Sequence, residues 1–207
     1  MPQIKIGILV SGSGSNLQSI INSAESGFIN GRIQVVISNK ENAYGLQRAR
    51  NHNIDAVFIN EKSYSNIEEY NEAIIKELKS HGVELVVLAG YIKILTNKFI
   101  ETYSNKIINI HPSLIPSFCG KGYYGLKVHE AAINYGVKLS GATVHFVNEE
   151  ADNGPIIFQE SVSVHYDDTA ETLQERILEV EHKLLPLALK YYCENKIEVV
   201  GRKVKIK

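Results

Sequence analysis

Cysteine is scarce in this chain. Cys119 and Cys193 are the only two, and they stand far apart. Neither a disulfide framework nor a zinc-ligand spacing can be built from them, so no metal is expected and a reducing cytoplasm is the natural compartment. An excess of charge of one sign is missing as well. Lys and Arg number 22 against 23 Asp and Glu, a formal net charge of −1. So balanced a chain has no electrostatic footprint for nucleic acid or for a membrane surface. No apolar run approaches the length of a membrane span. Met1-Pro2-Gln3-Ile4-Lys5 leads straight into an apolar segment without a secretory h-region. Low-complexity tracts and internal repeats are also absent. What remains is 207 residues, 44 % hydrophobic and 22 % charged, the profile of one soluble globular domain.

Short apolar runs alternate with helix-period segments. Residues 4–10, 35–37, 56–59, 85–89 and 106–110 read as strands. Between them, helices are expected from Leu17, Ile20, Ile21 and Ala24, over 43–50, and from Ile67, Tyr70, Ile74, Ile75 and Leu78, with a short one capped by Thr96. This alternation predicts an α/β fold with a doubly wound, mostly parallel sheet. Past Pro116 the pattern changes. An irregular segment over 117–125 precedes a helix over 127–135, then strands over 143–147 and 156–164 joined by the polar turn 148–155. So short a link makes that pair antiparallel. Asp168 with Glu171 reads as a capping box for a long helix, which Pro186 should kink or split. The tail over 197–206 reads as a hairpin. The single domain, 1–207, thus has a Rossmann-like half over 1–105 and a second half over 106–207.

Two nucleotide motifs are lacking. Ser11-Gly12-Ser13-Gly14-Ser15-Asn16 is a glycine turn between strand and helix, but Leu17 stands where the dinucleotide fingerprint wants its third glycine, and Ser38-Asn39-Lys40 follows the second strand where an acidic residue belongs. The Gly-Lys-Ser/Thr phosphate loop is absent too. The turn therefore suits one phosphate, held by backbone N–H groups and a helix dipole, or is a plain tight turn.

The stretch Asn109-Ile110-His111-Pro112 carries the chemistry. Pro112 ends a strand, and alternate residues share a face, so Asn109 and His111 point together from a strand end. An amide donor beside an imidazole suits an oxyanion and proton transfer. Neither is a strong nucleophile, which points to acyl-type transfer without a covalent intermediate. Asp152, in the polar turn, is the best candidate for a carboxylate to hold the imidazolium. His145 is either a buried support or an exposed strand residue, and His129 is open in the same way. His52, His81, His165 and His182 are expected to be solvated. Glu181 flanks the stripe of the last helix, as a boundary residue or as one that reaches the site.

Four motifs in this order resemble the folate-dependent formyltransferases, and within them the phosphoribosylglycinamide formyltransferases of purine synthesis. They are Val10-Ser11-Gly12-Ser13-Gly14-Ser15-Asn16-Leu17, Leu88-Ala89-Gly90-Tyr91, Ile108-Asn109-Ile110-His111-Pro112-Ser113-Leu114-Ile115-Pro116, and Thr143-Val144-His145-Phe146-Val147 with Asp152-Asn153-Gly154-Pro155. The resemblance covers nearly the whole chain. It implies the formyltransferase fold, glycinamide ribonucleotide as acceptor and 10-formyltetrahydrofolate as co-substrate, without metal, nucleic acid or membrane, in a monomer or weak homodimer. It implies Asn109, His111 and Asp152 as the catalytic trio. Gly14, Ser15 and Asn16 would hold the phosphate end, Gly90 and Pro112 would contact the acceptor, and Glu181 the ribose. Ile92, Lys93, Ile94, Leu95, Asn109, Asn148, Glu149, Glu150 and Asp152 would hold the pterin. Lys93 stands where arginine is frequent in that family, and a basic residue that some members carry aligns near Ile67, with Lys62 as a substitute. The competing readings are a formyltetrahydrofolate deformylase and a non-enzymatic nucleotide-binding module.

Overall fold

A computed structural model describes residues 2–207. The chain runs β1 (Ile4–Val10), α1 (Ser15–Glu25), β2 (Gly31–Ser38), α2 (Tyr44–Asn51), β3 (Asp55–Phe58), a 3₁₀ turn (Glu61–Ser63), α3 (Ile67–Ser80), β4 (Leu85–Leu88), α4 (Asn97–Thr102), β5 (Ile107–His111), α5 (Leu126–Tyr135), β6 (Leu139–Phe146), β7 (Ile156–Ser163), α6 (Ala170–Cys193), β8 (Ile197–Val200) and β9 (Lys203–Ile206). The nine strands among the described residues form one sheet in the order β3-β2-β1-β4-β5-β6-β7-β9-β8. The first five are parallel, and β6 turns antiparallel against β5 and β7. This is the mostly parallel, doubly wound sheet with an antiparallel C-terminal part that the pattern predicts.

Apolar residues on both faces explain why the parallel strands read as unbroken runs. Along β1, Ile6, Ile8 and Val10 pack towards α1, α2 and α6, whereas Leu9 packs towards α3 and α4. In β4, Leu85 and Val87 take the first side, Val86 and Leu88 the second. No helix among the described residues is long and apolar enough to cross a membrane.

Three local expectations are corrected. The capping box of α6 is made by Thr169 and Thr172, whose hydroxyls each take the other's backbone N–H. Asp168 is taken up by the guanidinium of Arg176, at 2.8 Å from both of its oxygens, which holds its carboxyl well below the usual range. Pro186 does not split α6, which continues unbroken to Cys193. Leu184, Leu185 and Leu189 around the proline are buried, and that packing offsets the one missing hydrogen bond. Thr96 stands at the start of α4, but its hydroxyl makes no capping bond.

Candidate active site

Register assembles the site. Asn109 of β5 lies opposite His145 of β6, and His111 opposite Thr143. Directly opposed residues share a face of the sheet. Their neighbours Ile108, Ile110, Val144 and Phe146 point the other way, into the core under α6. One strand pair therefore gives alternate positions to packing and to chemistry.

The hydrogen-bond network orients each polar group. His145 is buried, and its Nδ1 donates to the Phe146 carbonyl at 2.8 Å. A carbonyl only accepts, so the lone pair is on Nε2, where it receives the amide of Asn109 at 3.1 Å. Burial lowers the pKa of His145, against the Phe146 carbonyl and Asp152 and together with the charge of His111. The ring is neutral and serves as an acceptor. The same Asn109 nitrogen lies 3.4 Å from Asp152 Oδ1. With acceptors on both sides, the amide must present its nitrogen to them.

Asp152 comes from the turn between β6 and β7 and has a left-handed backbone, φ 54°. That turn closes tightly, since a side chain on Gly154 would put its Cβ 1.7 Å from the Phe146 carbonyl oxygen. Asp152 Oδ2 lies 3.5 Å from His111 Nδ1 and accepts the N–H of Gly120 at 2.8 Å. His111 Nε2 donates to the Phe118 carbonyl at 2.9 Å. Both ring nitrogens of His111 thus face acceptors, an arrangement that the imidazolium satisfies fully. A strap over 118–120 lies across the pair through its own backbone. Cys119 lies in it, its thiol pushed up in pKa by burial and then by Asp152.

At β1 the glycine turn opens α1. Gly14 has φ 69°, and a Cβ there would approach Gly45 Cα to 2.8 Å, so turn and packing both require glycine. No side chain caps this end of α1, which leaves its first N–H groups open to an anion. Asn16 Nδ2 donates to Glu181 Oε2 at 2.6 Å, across the packed pair α1 and α6. Burial pushes the Glu181 carboxyl up to about 7, with the Asn16 bond pulling the other way. Asn16 Oδ1 is buried and, among the described residues, has no partner. Ser15 stands beside it at the first position of α1.

The order β1-β4-β5 places the glycine turn and the trio two strand spacings apart, about 10 Å. Between them lies the loop after β4. Ser11 ties it down: its N–H donates to the Gly90 carbonyl at 3.1 Å, and its hydroxyl accepts the Ile92 N–H at 3.1 Å while donating to Asn39. This is the switch point of the parallel sheet, where such folds bind ligands. In this loop Leu95 is buried, whereas Ile92 and Ile94 are 49 % and 72 % exposed. Lys93 forms an ion pair with Glu61.

Among the residues singled out from sequence, Asn109, His111 and Asp152 converge, and so do Asn16 and Glu181. Pro112 is half-buried after β5, and Asn148, Glu149 and Glu150 line the turn that carries Asp152. Glu181 is fully inside rather than at a boundary. His145 and His129 are both buried, and burial takes His129 down to about 4. His165 is exposed, but His52, His81 and His182 are half-buried instead of solvated. His52 and His81 lean on Glu25 and Asp55. Sequence reasoning did not select Ser11, Phe118, Gly120 or Arg202. Phe118 and Gly120 act through their backbone, Ser11 through a hydroxyl whose partners Asn39 and Ile92 are distant in sequence, and Arg202 is remote in sequence from the turn that it grips.

A mostly parallel sheet with an open glycine turn at its switch point and an Asn/His/Asp cluster two strands away is the architecture of an α/β group-transfer enzyme. The family can be stated as well. Residues 4–189 match the family model described as formyl transferase, and the chain belongs to that family. It is 44 % identical to the phosphoribosylglycinamide formyltransferase of Haemophilus influenzae, over 94 % of this chain and 90 % of that one. A solved structure, glycinamide ribonucleotide transformylase 1 from Symbiobacterium toebii, superimposes with a TM-score of 0.94 at 42 % identity, over 99 % of this chain and 94 % of that one. A formyltetrahydrofolate deformylase from Pseudomonas syringae is also similar, with a TM-score of 0.88 at 29 % identity, over 99 % of this chain but 66 % of that one.

Proposed function

We propose that this enzyme transfers the formyl group of 10-formyltetrahydrofolate to the amine of N1-(5-phosphoribosyl)glycinamide, giving the N-formyl product and tetrahydrofolate, a step of purine synthesis. The observation that carries the reading is the convergence of Asn109, His111 and Asp152, within 3.5 Å, on the face that Asn109 shares with His145.

The acceptor fits the described polar groups. Gly14, Ser15 and Asn16 offer open N–H groups to a phosphate, and the unpartnered Asn16 Oδ1 with the Glu181 carboxyl offers acceptors to ribose hydroxyls. The spacing of about 10 Å between β1 and β5 suits a phosphorylated pentose with a short amino-acyl arm reaching past Gly90 and Pro112. For the donor, the exposed Ile92 and Ile94 offer apolar contact to a pterin, beside Lys93, Leu95 and Asn109. Asn148, Glu149, Glu150 and Asp152 offer polar groups to its ring edge.

The donor, when bound, supplies an electrophilic formyl carbon attached to a nitrogen leaving group. Asn109 and His111 donate hydrogen bonds where negative charge grows on the formyl oxygen. As the amine nitrogen bonds to the formyl carbon and the bond to the folate nitrogen breaks, Asp152 holds the His111 ring in place and takes part in passing the amine proton to the departing folate nitrogen. His145 stays neutral and keeps one N–H of the Asn109 amide, so the other, which faces Asp152 at the longer 3.4 Å, is the one that turns to the formyl oxygen. The Phe118 carbonyl must give way before His111 Nε2 reaches a substrate oxygen.

The test is an assay of tetrahydrofolate release from 10-formyltetrahydrofolate, with and without the ribonucleotide amine. Release only with the amine supports transfer. The similarity to a deformylase makes hydrolysis the second reading, and release without the amine would establish it.

A further inference from the structure

Arg202 sits at the tip of the β8–β9 hairpin, outside the residues 4–189 that the family model matches. Its guanidinium makes a two-pronged contact with Asn153: Nη1 donates to the backbone carbonyl at 2.9 Å and Nη2 to Oδ1 at 2.7 Å. Asn153 follows Asp152 directly. From the geometry we propose that Arg202 is a positioning residue for formyl transfer, holding the turn that aims the Asp152 carboxylate at His111 and Asn109.

Three observations bear on this. First, the turn needs an external hold. Asp152 is a non-glycine residue at φ 54°, a conformation that side chains occupy at a cost. Within the turn, Asn153 is tied by its N–H to the Glu150 carbonyl at 3.3 Å, by its side-chain amide to Glu150, and by its carbonyl to Asn148 Nδ2 at 3.4 Å. The two longer bonds are weak, whereas the guanidinium fork is short and charge-assisted. Second, the fork contacts both the carbonyl and the side chain of one residue, which fixes the side chain of Asn153 and the plane of the Asn153–Gly154 peptide, directly after Asp152. Third, the hairpin does not depend on Arg202 for its own docking. β9 bridges to β7 at Ile156 and Lys203, and Ile197, Val199 and Val204 pack on the main core. Removal of the arginine should leave the hairpin in place and loosen the turn.

The inference rests on Asp152 acting in the reaction, so a double-mutant cycle on the full chain separates the two. Asp152→Asn alone tests the reading, and loss of transfer supports it. Arg202→Ala alone is expected to lower kcat about tenfold, the worth of one charge-assisted hydrogen bond, with KM for the amine within about twofold of the starting protein. In the Asp152→Asn background the same change is expected to cost less than about twofold, because residues that act as a unit are not additive. Arg202→Lys, which keeps the charge but loses the fork, is expected to recover part of the rate. Asn153→Ala, which removes one of the two acceptors, should lower kcat in the same direction and serves if Arg202→Ala folds poorly. Equal losses from Arg202→Ala in both backgrounds, or a lowered Tm with kcat unchanged, would overturn the proposal and leave Arg202 as a hairpin anchor. Unaltered transfer by Asp152→Asn would instead overturn the reading on which it rests.

Discussion

The Nε2 of His145 accepts the amide of Asn109 at 3.1 Å because its Nδ1 is already spent on the Phe146 carbonyl. One strand thus sets the tautomer that orients a donor on the next. A ring locked in this way serves as a support and does not exchange protons. Replacement by phenylalanine keeps the bulk and removes the acceptor. His145→Phe is expected to lower kcat about tenfold, the scale of one well-placed hydrogen bond, with both KM values little changed. Steady-state kinetics check this. A rise in KM for the amine at constant kcat would mean that His145 shapes binding instead.

The trio itself should be more sensitive. Removal of one oxyanion donor costs on the order of 10²–10³ in rate, so Asn109→Ala and His111→Ala should each lose at least that much in single-turnover formyl transfer. If the two donors serve one developing charge, the double variant should be far from multiplicative. Turnover near that of the unaltered protein in either single variant would remove that residue from the reaction.

The buried pair Asn16 and Glu181 makes a pH-dependent prediction with a definite sign. The folded state raises the Glu181 carboxyl from 4.5 to about 7 and so holds a proton that the unfolded chain releases. Its contribution is therefore most favourable below 4.5, declines as pH rises through that window, and is flat above it. At ~1.4 kcal/mol per pH unit this amounts to on the order of 3 kcal/mol. His129, taken from 6.5 down to about 4, acts in the opposite sense: it is neutral when folded, and stability drains as pH falls from 6.5 towards 4. Urea unfolding of Glu181→Gln from pH 5 to pH 8 should show greater stability than the unaltered protein at the upper end and convergence at the lower. The same variant should bind the ribonucleotide amine less well, since a carboxylate has been given up. Parallel stability curves across the range would show that Glu181 is not buried in its charged form.

Much of this molecule was legible from its residues, for reasons that vary from one element to the next. Parallel strands buried on both faces announce themselves as apolar runs, so β1, β2 and β4 needed no tertiary information. Asn109 and His111 were legible as a pair because Pro112 marks the strand end and a period of two puts them on one face. Alternation also told that His145 faces away from Val144 and Phe146. It did not tell which strand lies opposite, and only the pairing with Asn109 decides between support and exposure. The start of α6 was misread because Asp168 is as good a cap in sequence as Thr169. The choice turns on Arg176, two turns along, whose fork claims the aspartate. The grip of Arg202 on Asn153 has no local signature. Contacts between a tail and a distant turn are set by sheet order, and sheet order comes from the whole chain.

The strap over 118–120 leads to the last expectation. Its Phe118 carbonyl accepts from His111 Nε2, and its Gly120 N–H donates to Asp152 Oδ2. The backbone therefore satisfies, in the free protein, the groups that the proposed reaction calls on. If His111 donates from Nε2 to the formyl oxygen, the Phe118 contact has to break, and the Gly120 amide two residues on should be disturbed with it. Hydrogen exchange at Gly120 measures this. The amide is expected to be protected in the free protein and to exchange faster once the amine and a non-transferable donor analogue are both bound. The opposite outcome, with protection unchanged in a saturated ternary complex, would mean that the strap stays closed and that the Nε2 proton never meets the substrate. Asn109 would then be left as the principal donor to the oxyanion, and His111→Ala should cost markedly less than Asn109→Ala. The exchange and rate measurements thus check one another, because both depend on whether a single backbone carbonyl moves.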